Sequence, residues 1–207
     1  MNPTPTAPAA PVPLFADSTA LGLFGLAIAC AALVPIAFGV REAMTPEALR
    51  TTAWFCLLFG AACQFLAGMM SFANKNMLGG TLLTTFSFNW VMNWWGLSEL
   101  SQGRVPSSTV ILAVDICFLI VFLAMTYAFG FFSRLLFVFL LDIDLLYVLR
   151  IARELVHAPV GLGIALATVA LTGISLYIAF SLVLANASGR MILPIGGPVF
   201  VAKAPQS

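Results

Sequence analysis

Three aspartates interrupt long apolar runs of this sequence: Asp115, Asp142 and Asp144. Insertion of an ionised side chain into the middle of a membrane costs about 2.5–3.5 kcal/mol of free energy. Such residues therefore face protein or water and often have a function. Asp142 and Asp144 are roughly 200° apart around a helix, so they cannot both line one path. We expect one of them to face a conduit while the other pairs with a neighbouring helix or subunit. For all three, a structural and a functional role stay open.

A second cluster of polar side chains lies between residues 78 and 97, in a segment rich in aromatic rings. Hydroxyl groups can replace the hydration shell of a small polar solute while aromatic rings set the width of its path. The alternative is that the hydroxyls bond within their own helix and that the tryptophans form an interfacial belt. We interpret Trp94 and Trp95 as belt residues. The predicted path residues of this segment are Thr84, Thr85, Phe86 and Asn89.

Motifs for catalysis are missing from the sequence. It has no GxSxG, HExxH or Walker pattern and no Rossmann glycine pattern. The single histidine, His157, falls in a predicted loop, and the four cysteines form no CxxC pair. We therefore expect no enzyme, no catalytic residue, no metal site and no cofactor. The formal net charge of +1 also argues against nucleic acid as a partner.

Composition identifies the solvent of the fold. Of the 207 residues, 61% are hydrophobic and 8% are charged, against roughly 25% charged in ordinary soluble domains. The polar side chains are too few to cover a globule exposed to water. We therefore expect the protein to lie in a lipid bilayer. We expect a Pro/Ala-rich tail at 1–16, a membrane domain at 17–197 and a C-terminal tail at 198–207. The opening stretch lacks the basic region of a secretory signal, so helix 1 is expected to direct insertion.

The uncharged runs predict an all-α integral membrane protein with six transmembrane helices and a conduit within each subunit. Thr45 is the expected N-cap of helix 2, with Pro46 at its first position. Residues 130–134 allow only a tight turn, so helices 4 and 5 should be antiparallel neighbours. An even number of helices puts both termini on one side. The predicted helices cover residues 21–40, 46–72, 78–97, 109–129, 135–151 and 159–185. Arg150 is expected to mark a membrane edge.

Two segments resemble the acetate uptake transporter family, also called the succinate–acetate permease or YaaH family. The C-terminal stretch SLYIAFSLVLANASGRMILPIG is similar to the family's helix 6 and its Gly-Arg-x-x-Leu-Pro-Ile-Gly ending, here residues 189–196. The stretch FLAGMMSFANKNMLGGTLLTTFSFNW is similar to the family's helices 2 and 3. The matching positions there are Gly68, Asn76, Gly79, Thr84, Thr85, Phe86 and Trp90. The resemblance covers most of residues 17–197.

The sequence also departs from the family pattern. The signature Asn-Pro-Ala-Pro-Leu-Gly-Leu keeps only its second half at residues 17–23, and Ser71 stands where an acidic residue is usual. The family's hydrophobic constriction draws on helices 1, 3 and 5, which places Leu26, Phe86 and, near enough, Asp142 there. An ionised aspartate would repel a carboxylate, whereas a protonated one could donate a hydrogen bond to it.

The resemblance implies a channel-like transporter for acetate or similar small monocarboxylates, with proton linkage left open. It also implies a homo-hexamer in a cell membrane, the inner membrane in a prokaryote. The predicted substrate-binding residues are Leu26, Thr84, Thr85, Phe86, Asn89 and Asp142. Two alternatives stay open: a channel for neutral solutes of the urea or amide type, and a non-transporting membrane protein whose aspartates only pair between helices.

Overall fold

A computed structural model of the chain describes residues 13–201 and contains six long helices in that range. The predicted helices are confirmed, with ends that differ by at most five residues. The largest shift is in α5, which continues past residue 151 to Val156, so the basic residues Arg150 and Arg153 belong to the helix. The helices are α1 (Thr19–Ala37), α2 (Pro46–Ala73), α3 (Met77–Ser101), α4 (Ser108–Phe129), α5 (Arg134–Val156) and α6 (Gly161–Ser188).

Four of these helices are long and apolar enough to cross a membrane by length and composition: α1, α2, α4 and α6. The other two, α3 with 25 residues and α5 with 23, also exceed the roughly 20 residues that span the hydrocarbon. They carry the amide, the hydroxyls and two of the three carboxylates singled out above, which lowers their hydropathy. The protein is therefore an all-α integral membrane protein in which the two most polar helices are those predicted to position the site.

Helix α2 begins as predicted and contains an irregularity in its middle. The Thr45 hydroxyl accepts a hydrogen bond from the Ala48 N–H, and Pro46 occupies the first helical position. The segment Cys56–Cys63 is a π-helix, a wider turn that is rare and frequent at functional sites. Two glycines allow neighbours to approach it closely: Gly25 of α1 lies against the Phe59 carbonyl, and Gly60 lies against the indole of Trp90.

The helices pack as α1 with α6, α2 with α3, and α4 with α5. The tight turn predicted between α4 and α5 is present, which makes these two helices antiparallel neighbours as expected. Residues from all six helices meet in one core. Six of its large side chains are fully enclosed. They are Leu26, Phe122, Leu140, Ile143, Leu171 and Ile178.

After α6 the chain turns back across the bundle as a segment that we call the C-terminal strap, residues 189–201. The Ser133 hydroxyl donates to the Ile195 carbonyl at 2.7 Å, and the Arg134 N–H donates to the Gly197 carbonyl at 2.9 Å. Free N–H groups at the start of α5 thereby find acceptors. The ring of Phe200 packs against Tyr127, Phe131 and Phe137. The predicted tail therefore packs at least as far as Phe200.

The N-terminal segment is also held in place where it is described. The Asn74 side chain accepts from the Phe15 N–H and donates to the Phe15 carbonyl, both at 2.8 Å. The Ser18 hydroxyl donates to the Ala67 carbonyl at 2.8 Å. Of the two predicted tails, residues 1–12 and 202–207 lie outside the described residues.

Candidate solute path

Two cavities enter the bundle from opposite ends. The terminal vestibule, on the side of both termini, has a volume of about 180 Å³ and the far vestibule one of about 340 Å³. Residues from α1, α3 and α5 line both of them. The terminal vestibule is lined by Thr19, Leu23, Gln64, Asn76, Leu78, Gly79, Leu82, Leu83, Phe86, Phe129, Phe132, Leu136 and Phe139. The far vestibule is lined by Cys30, Leu33, Ile36, Ala37, Phe86, Asn89, Asn93, Ile143, Leu146, Tyr147, Arg150, Arg153, Gly161, Ile164 and Thr168.

Phe86 lines both vestibules, so its side chain separates them. The residue is only 5% exposed, and its ring packs edge-on against Phe122 with 5.1 Å between centroids. Leu26 lies at the same level on α1, because Leu23 one turn before it lines the terminal vestibule and Cys30 one turn after it lines the far one. Leu26 is fully buried. The two vestibules therefore meet at an apolar barrier.

Helix α5 presents apolar residues to this barrier rather than an aspartate. Phe139 lines the terminal vestibule and Ile143 the far one, with the fully buried Leu140 between them. Asp142 lines neither vestibule, since one helical residue corresponds to a rotation of about 100° away from Ile143. It is half-buried, and its Oδ2 atom has no hydrogen-bond partner among the described residues.

The predicted polar residues of α3 separate into two groups. Asn89 is 6% exposed and lines the far vestibule one turn beyond Phe86. Thr84 instead packs on α2, where its hydroxyl lies against Gly68, and it lines neither vestibule. Thr85 is half-buried and also lines neither. The structure therefore brings Asn89 and Phe86 together at the path and leaves the two threonines beside it.

The remaining two aspartates pair across α4 and α5. The Thr126 hydroxyl donates to Asp144 Oδ2 at 2.6 Å, and Arg150 Nη2 lies 3.0 Å from Asp115 Oδ1. Asp144 is 5% exposed and Asp115 is 2% exposed, so both carboxylates are enclosed by protein. Asp144 thus fills the helix-pairing role expected of one member of the Asp142–Asp144 pair.

The two vestibules differ in charge. Arg150 and Arg153 line the far vestibule, whereas none of the described residues that line the terminal vestibule is charged. The terminal vestibule holds Gln64, which is 1% exposed and whose Oε1 has no hydrogen-bond partner among the described residues. Beyond the far vestibule, Arg104 Nη2 donates to Glu99 Oε1 at 2.8 Å, and this hydrogen bond raises the pKa of Arg104.

Sequence reasoning missed several residues of the path: Gln64, Asn93, Tyr147 and the vestibule position of Arg150. The sequence at the far end of α5 could have indicated some of them. Tyr147, Arg150 and Arg153 recur at intervals of three residues and therefore share a helix face. Within residues 13–201, no group of three metal-ligating side chains comes together.

Comparison with known proteins identifies the fold. No family model matches this sequence, and neither does any curated protein. Among solved structures, the chain is similar to one described as the structure of the bacterial acetate channel SatP, with a TM-score of 0.79 and 19% sequence identity. The likeness covers 88% of this chain and 99% of that one. The chain therefore shares the fold of that structure. That neighbour is a channel, in agreement with the prediction that the chain is not an enzyme.

Proposed function

We propose that the protein is a channel-like transporter for acetate or a similar small monocarboxylate. The observation that carries this proposal is that two vestibules from opposite ends of the bundle are both lined by Phe86. A solute that crossed the bundle would pass this ring, which sets the width of the path. The similarity of the fold to a bacterial acetate channel supports the choice of solute.

The apolar barrier suits a small, mostly dehydrated solute with one methyl end. Rings and aliphatic side chains at Leu26 and Phe86 offer no hydrogen bonds, so hydrophobic contact with a methyl group is what they provide. The amide of Asn89, one turn away, can bond the polar end of the same molecule. Thr84 then contributes indirectly, through the packing of α3 on α2.

The test is uptake of radiolabelled acetate into proteoliposomes that contain the purified protein, with empty liposomes as the control. We expect uptake above the empty liposomes that unlabelled acetate reduces by competition. Radiolabelled urea is measured in parallel. Absence of acetate uptake in vesicles that do take up urea would exclude the proposed substrate, and absence of both would favour a non-transporting protein.

A channel for small neutral solutes is the second candidate, because the described residues that line the terminal vestibule include amides and a hydroxyl but no charge. An uncharged solute would meet hydrogen-bonding groups at Gln64, Asn76 and Thr19 without an electrostatic barrier. The far vestibule favours the first proposal, since it carries two arginines, which would attract an anion.

Proton linkage is a further part of the proposal, and Asp142 is the residue to test for it. Its carboxyl group lies on α5 next to Ile143, which lines the far vestibule, and it can carry a proton that asparagine cannot. An inward proton gradient is expected to raise acetate uptake by the wild type but not by Asp142→Asn. Equal stimulation of acetate uptake in both proteins would show that Asp142 is not needed for proton linkage.

The homo-hexamer and the prokaryotic inner membrane also remain proposals. In an apolar stretch of α4, 17% of the residues are buried within one chain, against 39% in the corresponding stretches of α1, α2 and α6. Among these four helices, α4 therefore offers the most uncovered surface to lipid or to another copy. Mass measurement of the protein in lipid nanodiscs is expected to give six copies, and a monomer would contradict this assembly.

A further inference from the structure

The far vestibule contains an arginine, Arg150, whose side chain is held in place while most of its N–H donors have no partner in the part of the chain that the structure describes. The Arg150 side chain is 27% exposed, and its Nη2 lies 3.0 Å from Asp115, whose side chain is 3% exposed. Its guanidinium carbon lies 5.6 Å from the centroid of the Tyr147 ring. The buried carboxylate of α4 and the ring of α5 together hold the guanidinium at the wall of the vestibule.

A guanidinium has five N–H donors in a planar fork, and a single oxygen of Asp115 lies against one nitrogen of it. Among the described residues, Arg150 makes no side-chain hydrogen bond to any other group. Its remaining donors are therefore available to a solute in the vestibule. The second arginine differs, because Arg153 is 53% exposed and lies 3.5 Å from its sequence neighbour Glu154.

Two neutral polar groups beside Arg150 also lack partners. The Tyr147 residue is 3% exposed, lines the vestibule, and its hydroxyl has no hydrogen-bond partner among the described residues. Asn89 is 6% exposed, and no described residue bonds its side-chain amide. Buried polar groups are nearly always hydrogen-bonded in folded proteins. A solute in the vestibule would supply a partner for the Tyr147 hydroxyl and the Asn89 amide.

We propose that Arg150 captures the carboxylate of the solute in the far vestibule, with Tyr147 and Asn89 as neutral donors and Asp115 as the positioning residue. This inference rests on the proposed transport function and narrows the substrate class to the anionic form of a small monocarboxylic acid. Arg–carboxylate bonds are charge-assisted and stronger than neutral ones. A neutral amide cannot form them, so the site distinguishes acetate from acetamide, which has nearly the same shape.

The fixed charge of Asp115 tunes this capture. It cancels part of the attraction between Arg150 and an incoming anion, so the anion is held weakly enough to move on towards Phe86. A conducting path needs binding that permits release as well as entrance. Loss of the Asp115 charge should therefore hold acetate longer in the vestibule.

The experiment compares acetate and acetamide uptake into proteoliposomes for four variants. In Arg150→Gln the half-saturating acetate concentration is expected to rise by about tenfold, the loss of one charge-assisted hydrogen bond, with acetamide uptake unchanged. The double variant Arg150→Gln/Asp115→Asn avoids an unpaired buried carboxylate, and the same loss is expected there. The matched control Arg50→Gln, at an exposed arginine of α2 that lines neither vestibule, should change acetate half-saturation by less than about twofold.

Asp115→Asn tests the positioning role by a different readout. Both the half-saturating concentration and the maximal rate of acetate uptake are expected to fall, because the anion binds more tightly and leaves more slowly. A purely structural role would lower the maximal rates of acetate and acetamide alike and leave half-saturation unchanged, and that result would remove Asp115 from the proposed site.

Direct binding of isotope-labelled acetate to the detergent-solubilised protein, followed by saturation-transfer NMR, separates this inference from the transport proposal. Binding that is lost in Arg150→Gln, in a protein that carries no acetate, would support the capture site and exclude transport. Acetate uptake that is unchanged in both Arg150 variants would overturn the capture site and leave transport intact. An equal fall of acetate and acetamide uptake in the double variant would also overturn it.

Discussion

The indole ring of Trp90 lies directly against the backbone of Gly60, so that a methyl group on Gly60 would come within 2.5 Å of ring carbons. Gly60 belongs to the π-helical segment of α2, and Trp90 lies one turn after Phe86 on α3. The absence of a side chain at one position therefore fixes how closely α3 approaches α2. The position of the Phe86 ring in the apolar barrier depends on how closely α3 approaches α2.

Gly60→Ala is expected to destabilise the protein by about 1–3 kcal/mol, because Trp90 is 2% exposed and has no space into which to move. The measurement is thermal unfolding in detergent. Gly96→Ala is the matched control on α3, since nothing lies within 4 Å of an added methyl group there. That control should stabilise the helix by up to about 1 kcal/mol. Equal unfolding temperatures for the two variants would contradict the packing described.

Phe86→Ala is expected to widen the path and to raise the uptake of butyrate relative to acetate in proteoliposomes. The removed ring is the wall that the two vestibules share. The variant should also lose about 3–5 kcal/mol of stability, as buried phenylalanines do. Phe88→Ala is the control on the same helix, because Phe88 is 54% exposed and lines neither vestibule. A butyrate-to-acetate ratio that does not change in Phe86→Ala would place the barrier elsewhere.

Thr126→Val is expected to cost about 1–3 kcal/mol, because it removes the hydroxyl that donates to the buried carboxylate of Asp144. Chemical unfolding measures the effect. The double variant Thr126→Val/Asp144→Leu should recover much of the loss, since replacing both polar partners leaves nothing unsatisfied.

The control for this pair is Thr51→Val. The Thr51 side chain is exposed and bonds only the Glu47 carbonyl of its own helix, so its loss should change stability little. A double variant less stable than Thr126→Val alone would show that Asp144 has a second partner.

Phe200→Ala is expected to lower stability by about 1–2 kcal/mol, because the half-buried ring fills the space between Tyr127, Phe131 and Phe137. Val201→Ala is the control on the same strap, since Val201 is 86% exposed. Both are measured by thermal unfolding. Identical unfolding temperatures would indicate that the strap does not stabilise the α4–α5 hairpin.

The six helices could be predicted because charges and prolines interrupt the apolar runs at almost every helix end. The Thr45–Pro46 pair gave the start of α2 to the residue, since a hydroxyl acceptor and a proline act within one turn. The end of α5 was predicted five residues too early. Its last turns carry Arg150 and Arg153, and both arginines line the far vestibule and lie near carboxylates. The position of Arg150 at a membrane edge stays a prediction.

The parts that could not be predicted depend on contacts between distant residues. Hydrophobic periodicity does not distinguish a π-helical segment from an α-helix, because the two differ in their backbone hydrogen bonds, which only the structure gives. The position of Asp142 beside the path rather than in it follows from the rotation of α5 against its neighbours. As substrate-binding residues, Leu26, Thr84, Thr85, Phe86, Asn89 and Asp142 stay predictions.

The C-terminal strap is held in place by contacts between residues that are synthesised far apart in time. Ser133 at the start of α5 donates its hydroxyl to Ile195, which is 62 positions later in the chain. During synthesis, the turn between α4 and α5 must therefore wait, with polar backbone groups of its own unsatisfied, until α6 has been made and inserted. Water at the membrane surface can serve those groups in the meantime. Substitutions in the strap should consequently leave insertion of the first five helices unaffected and impair only the last step of folding.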